Sequence, residues 1–240
     1  LPPEAFAPLG EACRRNDVLL ICDEVAVGFG RTGTLFASEQ CGLAPDLMAL
    51  GKGITGGYLP MSVTAASQRV FDSFLGEDLG PRTLYHGHSY GGNALAAAVA
   101  LEHLHLIDRD DVLANVVARA EQFSELLAER VAPLDAVADI RQAGLMIGIE
   151  LDPSISALGP STLDPSTSAP ARDERWGRRV SAACVARGVL IRPLGDVVIV
   201  VPHLTTTADE VELIVDVLVD AITEITTPGD PSAPTEPTTR

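Results

Sequence analysis

Three short segments of the chain carry side chains whose types suit chemistry on a bound small molecule. Asp23 follows one apolar run, Lys52 follows another and stands between two glycines, and residues 86–89 (His-Gly-His-Ser) precede a glycine-rich turn. An amine can hold an aldehyde as an imine, and a carboxylate can keep a ring nitrogen protonated. Because phosphate binds at helix starts, Ser89 and the Gly91-Gly92 turn are candidates for holding a phosphate group. Together the segments match the needs of a phosphorylated aldehyde cofactor.

Lys52 is the only lysine in the sequence, since the other 16 of the 17 basic residues are arginines. A guanidinium stays protonated and cannot act as a nucleophilic amine, whereas a lysine amine can. A lone lysine is by itself more simply an ordinary surface residue. Read separately, Asp23 would cap a turn, Glu24 would be solvated and Ser89 would cap a helix. It is the spacing of these residues after predicted strands that favours a site.

A competing motif lies between the first two segments. Residues 28–33, Gly-Phe-Gly-Arg-Thr-Gly, fit the G-x-G-x-x-G pattern of dinucleotide-binding folds. In those folds the glycines come directly off the strand and open a long helix, but here residues 23–27 intervene with an acidic pair. Residues 34–42 are also too short and polar for such a helix. The pattern is therefore the poorer interpretation.

The first half of the chain alternates helix and strand patterns, which indicates an α/β fold. Strand ends are where open α/β sheets bind ligands, so the order of the elements places Asp23 and Lys52 at such positions. The run before Asp23 is continuous and apolar, as in a strand buried in a parallel sheet. Predicted helices cover residues 3–15 and 93–107, and predicted strands cover residues 18–22, 47–50 and 61–66.

The second half reads as a connecting helix followed by a small α+β unit. Apolar residues on one face predict a long helix from Asp110 to Val131. Beyond it, strands are predicted at 145–151, 189–192 and 197–201, and helices at 173–187 and 208–225. Residues 152–171 are rich in Ser, Pro and Thr and resemble an insertion. The predicted domains are residues 1–108, residues 109–225 and a disordered tail, residues 226–240.

Composition narrows the classes of partner. A formal charge of −16 argues against nucleic acid and against an anionic membrane surface, because both would repel the chain. No apolar run reaches the length of a spanning helix. The four cysteines form no C-x-x-C pair, so neither a metal site nor a disulfide framework is expected. We therefore expect a cytoplasmic protein that acts on small molecules.

Two segments carry a resemblance to a known family. Residues 21–33, Ile-Cys-Asp-Glu-Val-Ala-Val-Gly-Phe-Gly-Arg-Thr-Gly, and residues 46–57, Asp-Leu-Met-Ala-Leu-Gly-Lys-Gly-Ile-Thr-Gly-Gly, closely resemble the signature of class III (ω-) aminotransferases. The resemblance implies fold type I of the transferases that depend on pyridoxal 5'-phosphate. The chain would supply the C-terminal part of the large parallel-sheet domain and the small α+β C-terminal domain. Family members begin well before Leu1, so the isolated chain is expected to lack part of the site.

The family resemblance also implies roles for single residues. Lys52 would bind the cofactor covalently and shuttle a proton, Asp23 would bind the pyridine nitrogen, and Val25 would pack under the ring. Ser89 would touch the phosphate across the interface of a homodimer whose active site lies between the subunits. Gly87 and Arg192 would contact substrate, with the guanidinium of Arg192 taking a carboxylate. Without the family, Arg192 reads equally well as a surface residue at a strand end.

Residues 56–61 and 86–96 further resemble members of the family that aminate 8-amino-7-oxononanoate in biotin biosynthesis, with adenosylmethionine or lysine as the amino donor. Other ω-aminotransferases, and decarboxylases or aminomutases of the same fold, stay open as alternatives. A further alternative is that the chain alone is an inactive fragment.

Overall fold

The computed structural model describes residues 3–152 and 175–226, and the chain divides into two compact units, Leu1–Ala118 and Arg119–Arg240. The predicted domain boundary after residue 108 stays a prediction. The predicted insertion at 152–171 and the predicted tail at 226–240 lie outside the described residues, except for their first residues, Asp152 and Thr226. The predicted helix at 173–187 is described only from residue 175 onward.

The first unit contains short strands and helices around one small sheet. After a 3-10 turn at Pro3–Ala5, its elements are α1 (Ala7–Arg15), β1 (Ile21–Asp23), α2 (Ala37–Gln40), β2 (Leu47–Leu50), β3 (Val63–Ala66), α3 (Gln68–Asp72) and α4 (Ala94–Arg109). A second 3-10 turn, Lys52–Thr55, follows β2. Helix α5 (Val112–Leu126) begins in this unit and ends in the second.

The sheet of the first unit has the order β1-β2-β3. Strands β1 and β2 are parallel, with Asp23 opposite Ala49, and β3 runs antiparallel to β2. The carboxyl ends of β1 and β2 therefore lie at the same edge of the sheet. Asp23 ends β1 and Lys52 follows β2 by two residues, so both candidate residues belong to that edge, as the sequence predicts.

Strand β1 differs from the prediction in length and in burial. It covers Ile21–Asp23 rather than residues 18–22, and Ile21 is 62% exposed and Val18 54% exposed. The expectation of a buried strand is wrong for the described residues. Strand β1 is the edge strand of its sheet, hydrogen-bonded to β2 on one side only, and in this unit no described element covers these apolar side chains.

Helix α4 confirms the predicted helix and shows what starts it. The side chain of Asn93 accepts hydrogen bonds from the backbone N–H groups of Leu95 and Ala96 at 3.0 and 3.2 Å. Such a cap satisfies donors that would otherwise lack partners in the first turn. Ala96, Ala100 and Ile107 are buried, and the helix packs against the turn that carries Lys52.

The second unit is a four-stranded antiparallel sheet with helices packed on it. Its strand order is β4-β5-β7-β6, and the elements are β4 (Val137–Ala143), β5 (Met146–Leu151), α6 (Trp176–Ala186), β6 (Arg192–Leu194), β7 (Val197–Val200) and α7 (Ala208–Thr226). Its fully buried side chains include Phe123, Leu145, Ile149, Leu151, Val180, Val198, Leu218 and Ile222. The predicted α+β character of this half is therefore observed.

Two predicted elements of the second half need correction, and one strand was missed. The strand expected at 189–192 lies at Arg192–Leu194, because the end of α6 uses Gly188, at φ +86°, and Val189, whose N–H donates to the carbonyl of Cys184. Strand β4 was not predicted, since its sequence, Val-Ala-Asp-Ile-Arg-Gln-Ala, is interrupted by charged and polar residues and has no continuous apolar run. The long helix ends as α5 at Leu126 and continues as a π-helical turn, Leu127–Val131.

Two properties of the described residues bear on the kind of site to expect. No helix in residues 3–152 and 175–226 is both long and apolar enough to cross a membrane. Within the same ranges, no group of three or more His, Cys, Asp or Glu side chains is placed to hold a metal ion.

Candidate active site

Lys52 lies on a strained turn at the end of β2. Its φ angle is +42°, in the left-handed region that residues with a Cβ rarely adopt. The 3-10 turn that it begins is closed by hydrogen bonds from Ile54 N–H to the carbonyl of Gly51 and from Gly56 N–H to the carbonyl of Gly53, both 3.0 Å. Such conformations persist when surrounding contacts determine them, and they cluster at functional sites. The Lys52 side chain is exposed.

The glycines beside Lys52 lie close to neighbouring side chains, Gly53 more closely than Gly51. A Cβ on Gly53 would lie 3.0 Å from Cβ of Phe29, and a Cβ on Gly51 would lie 3.4 Å from Cγ1 of Val25. Phe29 is buried and its ring meets Phe36 edge to face at 5.7 Å. The lysine turn therefore rests on Phe29 and Val25, which places the predicted residue Val25 directly against the strand end that carries Lys52.

The two carboxylates of the acidic pair at the end of β1 have different surroundings. Asp23 is exposed, and its Oδ1 accepts a hydrogen bond from Val25 N–H at 3.0 Å, which leaves most of the carboxylate accessible. Glu24 is 2% exposed, and its carboxylate accepts hydrogen bonds from Ala37 and Ser38 N–H groups at 3.0 and 2.7 Å. The interpretation of Glu24 as a solvated residue is therefore wrong. Glu24 holds the start of α2, whereas Asp23 is free to face a ligand.

The glycine pattern at 28–33 does not form a dinucleotide site. Turns occupy the segment that follows β1, and between it and β2, where every residue is described, the only regular helix is the four-residue α2. The N-terminal amides of α2 are already taken by the carboxylate of Glu24. A pyrophosphate would need those amides and would be repelled by this carboxylate, so rejection of the motif is supported.

A cleft of about 920 Å³ opens beside Lys52. The described residues that line it come from the lysine turn, the chain after it, the segment that leads into α4, and the first turn of α4. Those with chemically distinctive side chains are Lys52, Tyr58, Met61, Ser62, His88, Tyr90 and Asn93. Neither Asp23 and Val25 nor Gly87 and Ser89 are among its lining residues. The cleft therefore brings Lys52 together with the 86–93 segment but not with every predicted residue.

The 86–93 segment contains tight turns at residues 89–92. His88 Nδ1 accepts a hydrogen bond from Tyr90 N–H at 3.2 Å, and the carbonyl of His88 accepts one from Gly91 N–H at 3.0 Å. With Nδ1 accepting, a neutral His88 carries its proton on Nε2 and acts as a donor there. Ser89 is exposed and is not the cap of α4, because Asn93 takes that position.

Arg192 belongs to the second unit. It is the first residue of β6, it pairs with Ile199 of β7, and it is exposed. Its predicted contact with substrate stays a prediction, as do those of Gly87 and Ser89.

The sequence interpretation missed the aromatic residues of the cleft. Tyr58 and Tyr90 are 84% and 85% exposed, and each follows or precedes a pair of glycines. The signal in the sequence was an aromatic residue next to a glycine pair, because glycine-rich segments tend to lie at the surface and a tyrosine there is a candidate for contact with a ligand.

The turn after Lys52 gives a test of local packing. Gly56 has φ +59°, and a Cβ there would lie 2.9 Å from Cδ2 of His103, whereas Gly57 has φ +86° with nothing within 4 Å. Gly57→Ala should cost about 1–2 kcal/mol from the backbone conformation alone. Gly56→Ala should cost about 1–3 kcal/mol more, because the new methyl group overlaps the imidazole. Urea unfolding of both variants measures the difference.

A third variant provides the control for this comparison. In a His103→Ala background the clash is absent, so the excess cost of Gly56→Ala over Gly57→Ala should disappear. Equal losses for the two glycine variants in the parent chain would contradict the close approach of His103 to Gly56.

One family of known proteins matches this chain over nearly its whole length. Residues 1–222 match the family model described as aminotransferase class-III. The match covers most of the 240 residues, and the chain belongs to the class-III aminotransferase family.

Two individual proteins with the same name are similar to this chain over most of its length. An adenosylmethionine-8-amino-7-oxononanoate aminotransferase from Nitratidesulfovibrio vulgaris is 44% identical over 222 residues, which are 92% of this chain and 39% of that protein. The crystal structure of the enzyme of the same name from Methanocaldococcus jannaschii gives a TM-score of 0.79 at 37% identity and covers 91% of this chain and 49% of that one.

A second solved structure supports the same fold. An amine transaminase from an uncultivated Pseudomonas species, in its PLP-bound form, gives a TM-score of 0.80 at 34% identity and covers 93% of this chain and 48% of that one. The chain has the fold of PLP-dependent transferases of type I, which confirms the predicted fold class. It spans about half, or less, of the length of these relatives.

Proposed function

We propose that this chain holds pyridoxal 5'-phosphate on Lys52, and that the protein transfers an amino group to 8-amino-7-oxononanoate to give 7,8-diaminononanoate in biotin biosynthesis. One observation carries the proposal: the single lysine of the chain lies on a strained turn that lines a cleft, and it follows the strand paired with the one that ends at Asp23. The 44% identity to a relative named for this reaction supports the choice of substrate.

The residues present fit the cofactor. The cleft volume of about 920 Å³ lies within the usual range for small-molecule sites, about 300–1,000 Å³. An exposed amine and two tyrosine rings line it, and the carboxylate of Asp23 ends the strand that is paired with β2. When bound, pyridoxal phosphate supplies an aldehyde that accepts amino groups and a ring that withdraws electrons from the neighbouring carbon.

Each residue at the sheet edge has a distinct task in this proposal. Nζ of Lys52 binds the cofactor covalently and, once released, takes a proton and returns it. The carboxylate of Asp23 keeps the ring nitrogen protonated, and its hydrogen bond from Val25 N–H fixes its orientation. Val25 lies against Gly51, where its methyl groups can support one face of a ring.

The phosphate group would bind to the 86–93 segment rather than to the first amides of α4. The N–H groups of Leu95 and Ala96 already donate to Asn93. The hydroxyl of Ser89 and the N–H of Gly92 remain as candidate donors, since the N–H of Gly91 already donates to the carbonyl of His88. The resemblance places Ser89 at a subunit interface. The phosphate that Ser89 contacts would therefore belong to the cofactor held by the partner subunit.

Substrate contacts are proposed for Gly87 and Arg192. A guanidinium can bind a carboxylate with two parallel hydrogen bonds, and the proposed acceptor carries a carboxylate. Arg192 is exposed at the start of β6, so its side chain is accessible to such a group.

We further propose a homodimer in the cytoplasm that acts on small molecules, with domains at 1–108 and 109–225. Exposed apolar side chains support the dimer, since Leu79, Leu84, Tyr85, Tyr90 and Leu95 all leave most of their surface uncovered in this chain. Light scattering after size-exclusion chromatography measures the oligomeric state, and a monomer at micromolar concentration would contradict the dimer.

The proposed reaction is tested by supplying 8-amino-7-oxononanoate with either adenosylmethionine or lysine and measuring 7,8-diaminononanoate. The experiment is run on the chain alone and on the complete gene product, with a cofactor titration of each. Product from the complete protein is expected with one of the two donors. Cofactor binding without product from either donor would reject this substrate.

A second function has one observation in its favour, the similarity to an amine transaminase. The same protein preparations are therefore offered a diamine or an ω-amino acid as donor, with pyruvate as acceptor. Faster turnover of these compounds than of 8-amino-7-oxononanoate would favour the amine transaminase reaction.

A further inference from the structure

His103 of α4 lies against the turn that carries Lys52. A Cβ placed on Gly56 would come within 2.9 Å of Cδ2 and 3.3 Å of Nε2 of His103, so the imidazole ring fills the space directly beside the end of the turn. The side chain is half-buried, and α4 packs along the Lys52–Thr55 segment. A histidine distant in sequence thus packs against the turn that carries Lys52.

The imidazole also lies beside the backbone of the turn. Burial lowers the pKa of His103 below its ordinary value, and the neighbouring backbone of Ile54 opposes that shift only partly. A backbone group that favours the charged imidazole is an acceptor, so it is the carbonyl of Ile54. Nδ1 of His103 is buried and has no partner among the described residues, which leaves Nε2 as the nitrogen that can donate toward this carbonyl. The ring is therefore neutral near pH 7, with an Nε2–H group available to the turn.

Packing alone does not account for a histidine at this position. A buried acceptor without a partner costs about 1–3 kcal/mol, and an apolar side chain of similar size would avoid that cost. The turn, however, holds Lys52 at φ +42°, a conformation that needs outside contacts to persist. Donation from Nε2–H to the Ile54 carbonyl, two residues after Lys52, would supply such a contact, in addition to the packing of the ring against Gly56.

We propose that His103 is a positioning residue for Lys52: its Nε2–H group and its ring fix the 52–56 turn and so hold the lysine amine at the cleft. The inference rests on the proposed function in one respect, that Lys52 is the amine that receives the cofactor. The effect on the turn itself does not depend on the cofactor.

Two substitutions of similar size distinguish the effect of the hydrogen-bond donor of His103 from the effect of its side-chain volume. His103→Leu keeps an apolar body but has no donor, whereas His103→Gln keeps an N–H donor near the position of Nε2. Hydrogen exchange is measured on the cofactor-free 240-residue chain, at the amides of Gly56 and Tyr58, which donate to Gly53 and Thr55. We expect exchange about tenfold faster in the leucine variant, the equivalent of one lost hydrogen bond, and near-parental exchange in the glutamine variant.

A second readout separates positioning from general stability. When pyridoxal phosphate is added to the protein, the rate at which the yellow colour of the bound cofactor develops should fall about tenfold in His103→Leu. The rate should recover in His103→Gln, because a displaced amine reacts more slowly than one held in position. The melting temperature of the leucine variant should not fall, since the buried unpaired nitrogen is removed.

Three results would overturn the proposal: unchanged exchange in the leucine variant, a glutamine variant that behaves like leucine, or a melting temperature that falls together with the coloration rate. Failure of the proposed function looks different. In that case the parent chain and its full-length protein would take up colour equally with and without Lys52, while the exchange result would still decide the role of His103.

Discussion

Lys52→Ala should abolish covalent cofactor binding and lower amino transfer by about 10⁴-fold, the upper range for loss of a group that moves protons in catalysis. Lys52 is the only lysine, so no neighbouring amine of this type can replace it. The measurement is the yellow colour of the protein-bound cofactor, followed by turnover of the complete protein. Unfolding temperature should change little, because the side chain is exposed.

Lys52→Arg is the matched control for this prediction. Arginine keeps the positive charge and a long side chain at the same φ angle but cannot form the covalent bond. Both variants should therefore be colourless. Retention of colour in either would show that another amine, such as the chain terminus, holds the cofactor, and the assignment of Lys52 would be wrong.

Asp23→Asn should leave the protein coloured but lower turnover by about 10²- to 10³-fold, the range for losing one electrostatic contact at a reacting group. Asparagine retains an oxygen that can accept the hydrogen bond from Val25 N–H, so the local backbone is preserved. It has no negative charge with which to keep a ring nitrogen protonated. Absorbance and steady-state rates measured on the same preparation separate cofactor binding from catalysis.

Glu24→Gln is the neighbouring control for Asp23. Glu24 accepts two backbone hydrogen bonds at the start of α2 and is buried, so its amide variant should lose about 1–3 kcal/mol of unfolding free energy. Its turnover at a temperature where it stays folded should be near that of the parent. If the two variants exchanged these effects, the division of tasks within the acidic pair would be wrong.

The order of elements around the site could be predicted because it depends on local patterns. The apolar run before Gly51 predicts β2, the glycines predict the turn, and the alanine-rich stretch after Asn93 predicts α4. A continuous apolar run also predicts burial at Ile21, and that expectation is wrong. Burial depends on what covers a strand, which the strand's own residues do not specify.

The contacts that hold the lysine turn could not be predicted, because they join residues distant in sequence. Nothing local indicates that Gly53 makes room for Phe29 or that Gly56 makes room for His103. His103 reads in the sequence as one more residue of a helix. Glu24 likewise reads as a surface acid next to Asp23, and only its bonds to Ala37 and Ser38 distinguish the two carboxylates.

Because Lys52 is exposed and is the only lysine, proteolysis of the chain can measure the fraction of molecules that carry the cofactor. An endoprotease that cuts after lysine has one target in these 240 residues and releases fragments 1–52 and 53–240. If borohydride first reduces the covalent link and the chain is then unfolded, every molecule that carried the cofactor resists cleavage. The uncut fraction on a gel therefore equals the fraction of loaded sites, with no need for a spectrum or an assay of turnover.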